Sequence, residues 1–378
     1  MAVLLICSQN HCMNRIVILS LLVTGLASKS ACSQSTWTVC NLSNCPAQFI
    51  QIQDAIDAAS PGDIIHVMAS PLSYGDFTID KGLSVLGAGH GTDPISGAHS
   101  HAGTVTIGAS NAIFSGFFIR AVELQMDLSE TIDEVEISNN RFYGSGNFLK
   151  TDPLSNSGGT KNWLVQGNVM TPDAPPNSIP IMTLTANDTS WTMSNNYIEQ
   201  HWAFQRVFNG GSPVAPEFAH VFSNNLVYTG PSGAFTLAAD ANLICHSNLF
   251  WLVDSAYSFM PSNGVTQFMS NLMHSPMGSV VDPDPSLSNL VDEAPTFAGG
   301  ASAPTWDATF DYNLAPGSAG IGDGLAGSDV GIFGNFFAFS NRGIPSGMPV
   351  FTSISKAYDI VPLEAPLEVD VEWTTGEQ

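Results

Sequence analysis

Positive charge is scarce in this sequence. Ten lysines and arginines stand against 33 aspartates and glutamates over 378 residues, a formal net charge of −23. Such a surface repels polyanions, so nucleic acid is excluded as a partner. It also disfavours unassisted binding of pectin or alginate unless a metal ion bridges the charges. Long apolar runs are missing as well. The run Ile16 to Leu26 has eleven residues, too few to span a bilayer. No Cys/His pattern has zinc spacing, since the six cysteines are spread thinly and His201, His220, His246 and His274 fall in separate segments. Helical stripes are absent from the central third, where Pro175, Pro176, Pro213, Pro216, Pro231 and Pro261 interrupt the chain.

What is present begins with an export pattern. Arg15, the short apolar run, and small residues at Ala31 and Ser33 predict a signal peptide over residues 1–33, with Met13 a more usual initiator than Met1. Lipid attachment at Cys32 is the alternative, which Lys29 fits poorly, so the chain is read as secreted or held at the cell surface. The remaining chain carries eight basic and 33 acidic residues, a net of −25, and no transmembrane segment. Cys40 and Cys45 can form a disulfide in an oxidising compartment, while Cys245 reads as a small buried hydrophobe.

The strongest signal is a repeat. Asn140, Asn168, Asn196, Asn225, Asn248 and Asn271 are separated by 28, 28, 29, 23 and 23 residues. Three positions before each lie Ile137, Val165, Met193, Phe222, Cys245 and Phe268; two after each lie Phe142, Met170, Ile198, Val227, Phe250 and Met273. Both columns are apolar, the mark of short strands with one buried face. Gly116, flanked by Ile113 and Phe118, and Ala88 extend the register upstream. Asn suits the bend because it tolerates left-handed angles and its amide can bond the Asn one coil away. Extra strands are expected at Thr104 to Ile107, Ile181 to Thr185 and Ala234 to Leu237. A leucine-rich repeat would need a leucine eight residues before each Asn, but Ile132, Thr160, Asp188, Glu217, Asp240 and Asn263 are mostly polar.

This pattern resembles the asparagine ladder of right-handed parallel β-helices, the pectin lyase-like superfamily. The resemblance covers roughly residues 37 to 335. It implies an all-β solenoid of about 10–11 coils with about three short strands each. FIQIQDAIDAA, residues 49 to 59, places Phe49, Ile52, Ile56 and Ala59 on one face of a short α-helix that caps the first coil. DYNLAPGSAGIGDGLAGSDVGIFG, residues 311 to 334, resembles a closing coil. The β-helix is assigned to 34–340 and a strand-rich tail to 341–378.

The same resemblance implies extracellular polysaccharide or cell-surface glycan as partner, and two readings stand side by side. One is an exported β-helix that binds and degrades polysaccharide as a lyase or glycoside hydrolase. The other is a non-catalytic surface, adhesion or structural rod. No complete catalytic motif is found: Gly89-His90-Gly91 matches a polygalacturonase fragment without its accompanying aspartates. Glu199, Asp240 and Asp254 are the catalytic candidates, since paired carboxyls can hydrolyse a glycosidic bond; the competing reading is that they are solvating acids. Tyr197, Tyr228, Trp251 and His274, with Leu226, Leu249 and Leu272, are expected to align outward as an aromatic strip on which sugar rings stack, unless a long inter-strand loop, or the segment after residue 340, folds back over it. Asp282 and Asp284 can hold Ca²⁺, or simply belong to a proline-stiffened loop; no other cofactor is required.

Overall fold

The computed structural model describes residues 34–91, 98–125, 129–151, 158–173, 179–185, 187–200, 207–210, 218–229, 235–236, 242–253, 257–258, 267–278, 280–300, 305–346, 348–356 and 369–375. The leader expected over 1–33, with Met13 and Cys32, lies outside them, as do Asp240 and Asp254.

The chain is a parallel β-helix. Among the described residues, sheet 1 has ten strands, from Thr36–Val39 through Glu136–Ser138 to Gln267–Met269. Sheet 2 has eight, from Phe118–Ile119 through Tyr197–Gln200 to Leu290–Val291. Sheet 3 has six, from Phe77–Ile79 through Thr104–Ile107 and Met182–Leu184 to Phe208–Gly210. Each strand pairs in parallel with its counterpart one coil away, for example Ile137 with Phe114 and Val165. The helix Ile52–Ala58 buries Ile52, Ala55 and Ile56 against the first coils and ends before Pro61-Gly62, where Gly62 has φ +91°. Cys40 and Cys45 are joined in the loop beside it. Near the C terminus, Pro349–Lys356 and Val369–Thr375 form an antiparallel hairpin.

Both apolar columns face inward, and all twelve of their residues are buried. Between sheets 1 and 2 the asparagines stack in one row. Each Nδ2 donates to the Oδ1 of the next coil's Asn at 2.9–3.2 Å and to a main-chain carbonyl of the preceding coil. Each Oδ1 also accepts its neighbour's main-chain N–H, so both polar atoms of each amide are bonded in the interior. Asn289 is a seventh rung, 18 residues after Asn271.

Two expectations need correction. Gly116 is the partner of Asn139, and Phe117 stands at the ladder position, its N–H donating to Asn140 Oδ1. Phe114 and Ile119 therefore face inward, and Phe118 faces out. A one-residue slip exchanges the two faces of a strand. Residues 311–334 do not close the solenoid either. Among the described residues the regular coil strands end at Leu290–Val291, and residues 297–300 and 305–345 return as a strap over the outward side of sheet 2.

The strap climbs along a second column, one residue before the ladder. Ser247 Oγ accepts from Leu325 N, Asn224 Nδ2 donates to Asp329 O, and Asn195 Nδ2 donates to Ile332 O. Further up, Phe337 covers Gly167 and Pro345 covers Gly116, where a Cβ would lie only 2.5 and 2.6 Å from those side chains. Asn139, Gly167, Asn195, Asn224 and Ser247 all have positive φ. Glycine occupies this column where the strap presses closest, and Asn or Ser where a side chain fastens it.

Candidate functional site

The aromatic strip exists, and the strap covers it. On the outward face of sheet 2, Tyr197, Leu226, Leu249, Trp251 and Leu272 form a second buried cluster with Phe297, Tyr312, Val330, Ile332 and Phe339 of the strap. Tyr197 is 0% and Trp251 5% exposed. Tyr228 and His274 are half-buried, and His274 packs at 5.0 Å on Trp251. The expectation of an open stacking surface at these four residues is thus corrected: the return of the chain gives these rings apolar partners.

Glu199 is buried in the same interface. Its Oε1 accepts the Tyr197 hydroxyl at 3.0 Å and the Trp306 main-chain N–H, so it braces strap to sheet. Asp282 Oδ1 accepts from Asn289 Nδ2 at 3.0 Å and from Asp284 N at 2.9 Å, and Asp284 O accepts from Asn289 Nδ2 at 3.1 Å. This pair ends the ladder. Among the described residues no group of three or more His, Cys, Asp or Glu side chains is placed to hold a metal ion. Cys245 is buried, which pushes its thiol pKa up and leaves it protonated.

The strap's apolar cluster begins at Val169; in the earlier coils the strap keeps to the corner at Gly116 and His90, and His99, His101, Phe118, Arg141 and Tyr143 are half-buried. There His101 pairs with Phe118, and Phe118 with Arg141. Phe118 and Tyr143 stack at 4.5 Å between centroids and 25° between planes. His101 lies edge-on to Tyr143 at 5.5 Å, and its Nε2 is 3.0 Å from the Tyr143 hydroxyl. His99 packs on Phe118 at 4.9 Å, and the Arg141 guanidinium lies 5.6 Å over the Phe118 ring. Arg120 sits at the turn into sheet 3, where Nε and Nη2 donate to Thr104 Oγ1 at 3.2 and 2.7 Å.

Electrostatics make this cluster distinctive. Among the described residues neither Arg120 nor Arg141 is paired with a carboxylate, although acids outnumber bases threefold in the chain. Arg141 Nε and His99 Nδ1 are buried without a protein hydrogen-bond partner. Burial lowers the pKa of His101, and burial followed by the charges of His101 and Arg141 lowers that of His99; both are neutral at pH 7. Burial raises the pKa of Tyr143, with Arg120 opposing and Asp76 and Asp173 adding to the rise, so the phenol keeps its proton.

Next to the cluster, around Arg120, a groove of about 430 Å³ runs over sheet 3 and is lined by Asp76, Thr78, Thr104, Thr106 and Glu123. None of His99, His101, Phe118, Arg120, Arg141 or Tyr143 was singled out from the sequence. The slip at Gly116 turned Phe118 inward. Arg120 and Arg141 were counted only as scarce cations that matched no motif. Arg141 directly follows the ladder residue Asn140, and Arg120 directly follows the strand Phe118–Ile119; those places were the available signal. The fragment Gly89-His90-Gly91 is a strap anchor, its His90 and Gly91 N–H groups both donating to Arg342 O. Among the described residues no helix is long and apolar enough to cross a membrane.

No protein-family model matches this chain, and no curated protein matches it.

Proposed function

We propose that this protein is an exported β-helix that binds an acidic extracellular polysaccharide and cleaves it by elimination, in the manner of pectin lyase-like proteins. The observation that carries the reading is the 3.0 Å hydrogen bond between His101 and Tyr143 beside two arginines without carboxylate partners. Two arginines stand close together here beside Asp76 and Asp173, in a chain where acids outnumber bases threefold. Carboxylates of a uronate chain gain two guanidinium partners, so calcium is an optional addition.

The chemistry follows from the protonation states. In a uronate glycoside, guanidinium groups on the C6 carboxylate make the C5 proton more acidic. Neutral His101 accepts that proton, the freed electron pair forms the C4–C5 double bond, and the C4–O bond breaks. The Tyr143 hydroxyl gives its proton to the departing oxygen. Phe118 and Tyr143 turn their ring faces to each other, so sugar is held by hydrogen bonds and charge rather than by stacking.

Hydrolysis has less support. Glu199 is sequestered under the strap, and none of the described carboxylates pairs with it across an open cleft. Incubation of the mature chain with a polysaccharide panel, with calcium and with chelator, tests the reading. Unsaturated products detected by ultraviolet absorbance are expected. Reducing ends without unsaturation would mean hydrolysis, retention without products a binder, and neither a scaffold.

A further inference from the structure

Sheet 1 has an outward side that neither apolar cluster uses. Ile64, Ile113, Leu164, Val221 and Ile244 stand in one row along it, each half-buried, and belong to neither cluster of the described residues. Shorter or polar residues alternate with them: Ser84 follows Ile64 in the row, Glu136 follows Ile113, and Thr192 follows Leu164. Charge is almost missing from this side. Among the outward residues of the ten strands Glu136 is the one carboxylate, with Ser138 Oγ donating to its Oε1 at 2.7 Å, and there is no lysine or arginine. His66 and His246 also face out; burial lowers the pKa of both, so they are neutral at pH 7.

On a chain with 33 acidic residues, an aliphatic and nearly neutral side is where a second copy meets least repulsion. The order of the row supplies the fit. When a second copy is turned over about an axis along the strands, the row lies on itself in reverse, the first of the ten strands over the tenth. Ile113 then faces Thr192 of the second copy, Val221 faces Ser84, and Leu164 faces the stem of Glu136. Bulky side chains enter the gaps over short ones, as between stacked sheets about 10 Å apart. Phe336 adds an exposed aromatic ring at one edge, since Asn335 before it is bonded to Asn195 and Asn224, which follow the seventh and eighth strands. The reversed copy brings Leu86, on the third strand, to that edge. Ten strands span about 43 Å and are about 12 Å across, so two copies cover on the order of 1,000 Å² together, the size at which specific but weak interfaces begin.

We propose that the outward side of sheet 1 is a self-association surface through which two copies of this protein pair, with their solenoid axes antiparallel. The pairing is independent of the elimination chemistry. The test is sedimentation of the intact mature protein over concentrations from about 1 to about 200 μM, at low and high salt. A reversible monomer–dimer equilibrium in the micromolar range is expected, and salt should tighten it by screening the repulsion between the two acidic chains.

Val221→Lys and Thr192→Lys each set a charge into the row on an outward side chain. Each should weaken pairing about tenfold or more, with the melting temperature of the dilute monomer unchanged. Glu136→Gln, which removes the one carboxylate that pairing buries, should tighten it about fivefold. A protein that stays monomeric over the whole range would overturn the inference, and so would a dimer that both lysine variants leave intact. A monomer whose adhesion to insoluble polysaccharide falls in Val221→Lys would also overturn it, and would give the face to glycan.

Discussion

Asn195 and Asn335 exchange amide hydrogen bonds in both directions, Nδ2 to Oδ1 at 3.0 and 2.9 Å, across 140 residues of sequence. One is the outer residue of a coil corner and the other lies in the strap. The pair fastens the strap to the outer column midway, before the strap goes on past Gly167 and Gly116 to His90. The aromatic row below it is covered, and His101, Phe118 and Tyr143 beyond it are half-buried.

Removing either amide should loosen the strap. Asn335→Ala is expected to cost about 1–2 kcal/mol, read from the urea midpoint. Since the two amides satisfy each other, the Asn195→Ala/Asn335→Ala double variant should lose less than the two single losses added together.

The inner ladder should be far less tolerant. Asn196→Ala removes four hydrogen bonds and leaves the Asn168 main-chain N–H and one of its two Nδ2 hydrogens without an acceptor in the interior. A loss of about 3–5 kcal/mol is expected. Asn289→Ala, at the partly open end, should cost clearly less in the same unfolding experiment.

Trp251→Ala should behave as a core substitution. Its ring packs at 5.8 Å on Phe297 and at 5.0 Å on His274, so about 3–5 kcal/mol of stability is expected to go. Glycan retention, measured well below the lowered melting temperature, should be unchanged. Lost retention with unchanged melting would place a sugar site under the strap.

At the open cluster the pattern should reverse. Tyr143→Phe keeps the stack on Phe118 and removes the hydroxyl; product formation is expected to fall about 10²–10⁴-fold with little change in melting or polymer retention. Because burial lowers the His101 pKa below the ordinary histidine value, the acid limb of the activity profile should lie at lower pH than an exposed histidine would give.

Folding stability should fall in acid for a separate reason. Burial holds His220 at about 4, and His90 at about 3 with help from the charges of Arg141 and His99. The Trp191 main-chain N–H donates to His220 Nδ1, a bond that needs that nitrogen unprotonated. Both values lie below 6.5, so the unfolded chain takes up protons that the folded chain refuses. Stability is full above pH 6.5 and declines as the pH falls toward 4 and 3, each histidine contributing a slope of about 1.4 kcal/mol per pH unit. His220→Gln keeps an acceptor for Trp191, so the urea midpoint of this variant should fall less between neutral and acid pH.

The parallel β-helix could be read from the chain because its causes are local and periodic. An apolar residue three before and two after each Asn states which side chains turn inward, and translation from coil to coil repeats the statement six times. The register failed at Gly116, where the ladder position is Phe117 and the cue of an amide is gone. The outer column was equally visible as Asn139, Gly167, Asn195, Asn224 and Ser247, but those residue types suit any left-handed corner. Nothing local says that a strap will lie on them.

Sequence alone therefore determined the coil, its buried columns and its ladder, since stacking identical units brings like residues together whatever else the chain does. Only the tertiary structure decided which outward residues remain available. That outcome depends on contacts more than a hundred residues apart, where residues 297–300 and 305–345 gain apolar burial by returning over Tyr197 and Trp251 and leave Phe118 and Tyr143 half-buried.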